Sequence, residues 1–332
     1  MRKVFYSSFV PTAVALKKIF VIKGPGIGDI ISSIPLLRTL RAHFPTARIA
    51  LFNEQSYGTG LELIKGSALY DRVVSFDSRW SLGRKIRFIS ELRKEKYDIA
   101  IAGFPGTWKT ALLCFLSGAR LRLGFGLSPL AFFYNTKVER VDHSPVESEL
   151  RLAGRLGCRA IADMSLPLVF RKRLVGKVLT KIKEERIALS VGKDIDHRAW
   201  IDSRWAKLVG ALSKRFQPIF FGGSDNSARV DKIQRLLRKR IPSLVGKLGL
   251  RETAAGIKKC KLFIGVVGGL AWIAAALGVP TIVLSSPFEW KVHGQHVRNI
   301  VKPGCNSHAP GSCRCIENIE VSDVLREVNR LI

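Results

Sequence analysis

The chain has 332 residues, 47% of them hydrophobic, with 55 Lys and Arg against 26 Asp and Glu for a formal net charge of +29. Length and apolar content fit about two folded domains and exclude a disordered chain, while the lack of any run of about 18 uncharged apolar residues excludes a spanning helix. The positive excess is spread over both halves, 25 basic against 12 acidic residues through residue 160 and 30 against 14 after it, which suits phosphorylated substrates or an anionic membrane face; no RNP or zinc-finger signature points to nucleic acid.

Residues 1–17 begin basic and turn apolar, as a secretory leader does, but Pro11 interrupts the apolar stretch and no convincing cleavage site follows. They read as a short N-terminal extension with scope for membrane-surface contact. Lys18 to Ile22 then reads as a buried strand. The loop GPGIGD follows, with Gly24, Gly26 and Gly28 at alternate positions and Asp29 at its end. Ile30, Ile34, Leu37 and Leu40 recur at helical spacing until Pro45. A strand, a glycine turn and a helix starting on a carboxylate let backbone approach a ligand closely. A dinucleotide fingerprint needs glycine where Asp29 stands, and the Gly-Lys-Ser/Thr of a phosphate loop is absent. Asp29 is left either as a base facing a cleft or as a helix cap.

Strands are expected at Ala47–Phe52, Arg72–Phe76, Ile99–Ala102 and Arg122–Phe125, then at Ile187–Val191, Pro218–Phe221, Leu262–Val266 and Thr281–Leu284. Helices fall between them, among them Leu82–Lys94, Ser148–Leu156, Ser203–Arg215 and Asn226–Arg240. The alternation argues parallel sheets covered by helices. It runs twice, and the charged segment 167–186 separates the two series. The expected fold class is α/β, two Rossmann-like doubly wound domains facing a cleft, with residues 18–170 in the first and 171–332 in the second. Ligands of such folds bind at the carboxyl ends of the strands.

Three further constellations carry chemistry. In VGKDIDHRAWIDSRW, Lys193, His197 and Arg198 stand in a strand-to-helix loop, with Ser203 as a candidate cap. They either hold a diphosphate or form a solvated basic loop. In LFIGVVGGLAWIAAALGVP, a strand meets Gly268-Gly269, then an apolar helix Leu270–Leu277 and Gly278 as its stop. This is either a second anion site or a plain buried strand–helix–strand unit. Cys305, His308, Cys313 and Cys315 lie within eleven residues, a candidate for structural zinc or iron or else a reduced terminal loop. Cys114, Cys158 and Cys260 stand alone in apolar contexts and read as core residues. No disulfide framework emerges, which points to the cytoplasm.

In their order and spacing these pieces resemble glycosyltransferase family 9, the lipopolysaccharide heptosyltransferase-like proteins. The resembling stretches are Gly26 to Asp29 with Pro35, Gly192 with Arg198 and Trp200, Gly222-Gly223, and Gly269 to Pro280. They span roughly residues 18 to 330. The resemblance implies the GT-B arrangement, with an acceptor-side N-terminal domain and a C-terminal domain that binds the nucleotide sugar. It implies transfer of a heptose-like sugar from a nucleotide diphosphate donor, typically ADP-heptose, to an anionic glycolipid or glycan acceptor, at the inner face of a membrane and without a required cofactor or metal. Asp29 carries over as the base, with Gly24, Gly26 and Gly28 as the acceptor-side loop. Lys193, Arg198, Trp200, Gly222, Gly223, Asp225, Gly268, Gly269 and Leu270 carry over to the donor, Asp225 near the ribose.

The chain departs from the family in its late motif, Asp-Ser/Thr-Gly-x-x-His. Val267 and Trp272 stand where the aspartate and histidine belong, and Arg198 replaces a lysine. Two alternatives follow: a catalytically degenerate sugar- or nucleotide-binding relative, and a GT-B sugar-nucleotide epimerase, which needs more acids than this sequence offers.

Overall fold

A computed structural model describes residues 17–24, 26–55, 60–127, 130–168, 185–192, 198–302 and 314–332. Most of the N-terminal extension, most of the segment 167–186, and Lys193, His197, Cys305, His308 and Cys313 lie outside the described residues. Contacts divide the chain into two units. One comprises Met1–Pro25, Ser32–Gly58 and Gly66–Asp163, the other Gly26–Ile31, Thr59–Lys65 and Met164–Ile332.

The first unit holds β1 (Lys18–Ile22), most of α1 (Ile27–His43), β2 (Arg48–Glu54), β3 (Arg72–Phe76), α2 (Leu82–Lys94), β4 (Ile99–Ala102), α3 (Trp108–Leu116), β5 (Leu121–Phe125), β6 (Thr136–Val138) and α4 (Pro145–Arg155). Its sheet runs β3-β2-β1-β4-β5-β6, every pair parallel. Parallel strands covered on both faces must be apolar throughout. Accordingly Ile19 to Ile22 and Ile99 to Ala102 are all buried. In this strand order the direction of winding reverses between β1 and β4. α1 is apolar nearly all round; Ile30, Ile31, Ile34, Leu36, Leu37 and Leu40 show no exposed surface. Pro35 lies inside it, where it removes one backbone hydrogen bond.

The second unit holds β7 (Arg186–Ser190), α5 (Asp202–Leu212), β8 (Gln217–Phe220), α6 (Ser227–Leu237), α7 (Leu250–Lys258), β9 (Leu262–Val266), α8 (Gly269–Ala276), β10 (Thr281–Ser285), β11 (Val297–Val301) and α9 (Val321–Leu331). Its sheet runs β11-β10-β9-β7-β8, again all parallel. That is the other common doubly wound order, with its switch between β7 and β9. Trp200 and Trp205 meet edge to face at 5.0 Å in the core, among Leu208, Ile264, Leu284, Ile316 and Val324.

Every strand expected from the sequence is present, displaced by at most two residues at an end. Several helices begin earlier than expected. α1 starts at Ile27, because Ile30 donates its N–H to the Gly26 carbonyl at 3.0 Å. Asp29 is therefore the third residue of the helix and Gly26 its cap. α5 starts at Asp202 with Ile201 as cap and no side-chain capping bond, so Ser203 lies within the helix rather than capping it. β6, β11 and α9 lie outside the expected series, while α3 and α7 fall between expected strands.

Candidate active site

A pocket of about 640 Å³ opens at the carboxyl ends of β7, β8 and β9, at the switch point of the second sheet. Such a volume suits a ligand of nucleotide-sugar size. Its wall brings together Gly222, Gly223, Asp225, Arg198, Gly268, Gly269 and Leu270 with Gly192, Asn226, Leu248 and Thr253. Seven of the nine residues assigned to the donor thus converge on one cavity. Lys193 lies outside the described residues.

Trp200 does not line the pocket. It shows no exposed surface, and its indole N–H donates to the Ile319 carbonyl at 2.8 Å. A ring packed that deeply contacts core side chains and no ligand, so the expectation of a donor contact is corrected.

Glycine is required where the pocket floor is tightest. Gly192 follows β7 with φ +70°, and a Cβ there would lie 2.3 Å from Val266 Cγ2. Both the left-handed conformation and the close approach exclude a side chain. Gly269 begins α8, and the first N–H groups of a helix have no partner within it. Together with the helix dipole they favour an anion. Arg198 supplies the cation. Its Nε donates to Glu289 Oε1 at 2.8 Å, with the Arg198 side chain 52% exposed. The Glu289 side chain is 13% exposed, so Arg198 is held from the protein side, and a diphosphate offers its guanidinium a further, bidentate partner. Asp225 lies over the other glycines: a Cβ on Gly223 would come within 2.7 Å of its Oδ1, and Asn226 Nδ2 donates to that oxygen at 3.0 Å.

Val191, just after β7, and Trp200 and Asp202, at the start of α5, are held by residues that the sequence did not mark. Arg229, on α6, is buried and donates to the Val191 and Trp200 carbonyls and to Asp202 Oδ1. Lys232 reaches Asp202 Oδ2 at 2.8 Å. Burial opposes the charged form of Asp202, but the hydrogen bonds from Lys232 and Arg229 outweigh it and hold the carboxyl below its ordinary value. Nothing local in the sequence marks this set, since its members stand about thirty residues apart.

The first turn of α1 belongs to this unit and packs on α8. A Cβ on Gly28 would lie 2.9 Å from the Trp272 ring, and one on Gly269 would lie 2.9 Å from Ile27 Cβ. Each glycine receives the other helix's large side chain. Ile27 reaches the pocket wall. Asp29 is half-buried in this turn, its Oδ2 2.7 Å from where a Gly26 Cβ would stand. The carboxylate thus folds back over the helix start. Val267 and Trp272, the two departures from the late motif, are both buried, Trp272 at 4% exposure.

At the switch point of the first sheet, Lys23 and Glu149 form an ion pair with no exposed surface on either side chain. Phe104 also donates its N–H to Glu149 Oε1 at 3.2 Å. Gly103 makes the room, since a Cβ there would meet Lys23 Cδ at 3.0 Å. Gly24 follows Lys23 at this end of β1.

Among the described residues no group of three or more His, Cys, Asp or Glu side chains is placed to hold a metal. Of the terminal cluster only Cys315 is described, buried in the 3-10 turn Cys315–Asn318. Burial pushes the Cys158 thiol up to about 11 and the Cys260 thiol up to about 12, and raises that of buried Cys114 as well. These three are core residues rather than nucleophiles. No described helix is long and apolar enough to cross a membrane.

Comparison with known proteins agrees with this geometry. The sequence profile of glycosyltransferase family 9 (heptosyltransferase) matches residues 85–302, about two thirds of the chain. Lipopolysaccharide heptosyltransferase 3 of Escherichia coli is 25% identical over 272 residues, covering 77% of this chain and 80% of its own. Among solved structures, the E. coli ADP-heptose lipopolysaccharide heptosyltransferase II superposes with a TM-score of 0.71 at 22% identity, over 95% of this chain and 98% of that one. An E. coli heptosyltransferase with ADP-2-deoxy-2-fluoro heptose gives 0.67 at 19%, over 95% and 100%. The two parallel sheets match the GT-B fold of these proteins.

Proposed function

The chain belongs to glycosyltransferase family 9, the heptosyltransferase family, and we propose that it transfers a heptose-like sugar from ADP-heptose, or a close analogue, to a lipopolysaccharide-type acceptor. The observation that carries this reading is the pocket where Arg198, Gly268-Gly269 and Gly222-Gly223 meet at the second switch point. The nucleoside lies along Gly222, Gly223 and Asp225, with Asp225 accepting from the ribose. The diphosphate faces Arg198, Lys193 and the N–H groups at the start of α8.

Asp29 is the base. As the acceptor hydroxyl oxygen bonds to the anomeric carbon, Asp29 takes its proton. The bond from that carbon to the diphosphate oxygen breaks, and the nucleoside diphosphate leaves with the electron pair. Arg198 and the helix N–H groups stabilise the charge that develops, so transfer proceeds with a chelator present. Residues 18–170 take the acceptor and 171–332 the donor. The enzyme works at the cytoplasmic face of a membrane, whose anionic surface suits a chain of net charge +29. Metal analysis of the purified protein before and after Cys313→Ser separates the two readings of Cys305, His308, Cys313 and Cys315, a structural metal loop or a reduced terminal loop.

A panel of ADP-, UDP-, GDP- and CMP-sugars tests the donor. ADP-heptose is expected to raise the thermal midpoint most, and turnover with a heptose-deficient core glycolipid is expected to release ADP. No shift with any donor overturns the reading. Val267 and Trp272 favour one second reading, a relative that binds the nucleotide sugar without transferring it; a thermal shift without ADP release is its signature.

A further inference from the structure

We propose that the outward face of α2, α3 and the turn Ala131–Phe133 is a docking surface for an anionic lipid bilayer. Large apolar side chains are exposed on these elements: Leu82 (73% exposed), Ile86 (59%), Trp108 (49%), Phe115 (41%) and Phe132 (67%). Folded proteins usually scatter such residues singly. Leu82 and Ile86 are one turn apart on α2, and Trp108 and Phe115 two turns apart on α3, so each pair shares a helix face. Phe115 stacks on Phe133 at 4.5 Å, and Phe132 lies 4.5 Å from Phe133. Arg93 of α2 donates to the Leu116 carbonyl at the end of α3, which ties the two helices together. The core is built from the opposite side of the same elements, by Phe88, Leu92, Ala111, Cys114 and Ala131. The exposed set is therefore surplus to folding.

Charge selects the occupant. From residue 99 to residue 138 the chain has no Asp or Glu, yet it carries Lys109, Arg120, Arg122 and Lys137. The cations sit beside the rings: Lys109 Nζ is 5.7 Å from the Trp108 centroid, and Arg122 Cζ is 5.9 Å from that of Phe115. On the neighbouring helix, Arg84 lies 4.2 Å over Trp80. Aromatic and leucine side chains interleaved with cations anchor proteins in the headgroup region of anionic membranes. A second copy of this chain would bring the same positive charge and be repelled. The inference rests on the proposed lipid-anchored acceptor, whose sugar stays close to the headgroup plane.

The full chain is to be sedimented with phosphatidylcholine vesicles, with and without phosphatidylglycerol. Binding is expected only with the anionic lipid, weakening as salt rises. The double variant Ile86→Ser/Phe132→Ser is expected to bind at least about tenfold more weakly, with an unchanged thermal midpoint and an unchanged response to ADP. Lys109→Glu is expected to have a smaller effect. Three results overturn the proposal: a wild type that ignores anionic vesicles, a double variant that binds like wild type, or a dimer by light scattering that the double variant splits. The nucleotide response separates this from the transfer reading. Vesicle binding through this face without any nucleotide-sugar shift sinks the donor assignment and leaves the docking face standing, and the converse does the reverse.

Discussion

At the end of β1 the first sheet fills its switch point with protein. Lys23 and Glu149 meet there without exposed surface, under Phe104. At the ends of β7 and β9 the second sheet lines its switch point with Gly192, Gly268 and Gly269 and leaves a pocket of about 640 Å³. The same doubly wound geometry serves two ends. A buried ion pair is costly to desolvate and costlier to break, so the filled end is a fixed structural joint. A floor of glycines exposes backbone donors at little desolvation cost, which suits an anion. The difference teaches that strand order alone locates a candidate site, while the side chains at the switch decide whether it holds ligand or protein.

That comparison is tested most severely at Asp29, in the helix turn that reaches the open end. Asp29→Asn is expected to lower kcat by about 10²- to 10⁴-fold with the thermal midpoint nearly unchanged, since the amide can still fold over Gly26. A rate within twofold of wild type removes the base assignment. Next comes the filled end. Glu149→Ala strands a buried ammonium and is expected to cost about 3–5 kcal/mol of stability, read by urea unfolding, with ADP affinity at the folded baseline retained. A coupled Lys23→Met/Glu149→Leu variant is expected to recover most of that loss. If Glu149→Ala instead abolishes ADP binding in folded protein, the two ends are not separate in function. At the open end, Arg198→Ala is expected to cost about 1.5–3 kcal/mol in donor binding, roughly 10- to 150-fold in Kd, with no loss of stability. Arg198→Lys is expected to fall between, because it keeps charge without the fork.

The smallest effect is a pH effect on the scaffold of the open end. The Asp202 carboxyl is held below its ordinary value in the fold. The unfolded chain therefore binds the proton more readily. The stabilisation is complete above the unfolded value, about 3.9, and is lost as pH falls below it. Asp202→Asn is expected to flatten part of the acid limb in a plot of unfolding midpoint against pH. An unchanged limb would mean that Lys232 and Arg229 find other partners.

Much of the fold was legible because both sheets are parallel. Their strands must be apolar end to end, and runs such as KIFVI and IAIA show this without context. β6 lacks that mark, since it is a three-residue edge strand with no buried residue. In the pocket, glycines beside strand ends were readable because only close backbone approach explains them. Trp200 was misread because its place beside Arg198 in sequence says nothing of which way the ring turns. Arg229 was invisible, since its partners come from another helix and a loop.

One feature bears on how the protein can be handled. Trp200 donates to the Ile319 carbonyl, and Arg204 donates to the carbonyls of Glu317 and Ile319 and pairs with Glu320. The last turn and helix of the chain therefore act as a buckle on the strap that carries Arg198. A chain cut before residue 314 would keep every residue of the pocket wall and lose the partners that hold Trp200 and Arg204 in place. A deletion that reaches Cys315 is therefore expected to loosen the segment that carries Arg198 although it removes no residue of the pocket wall.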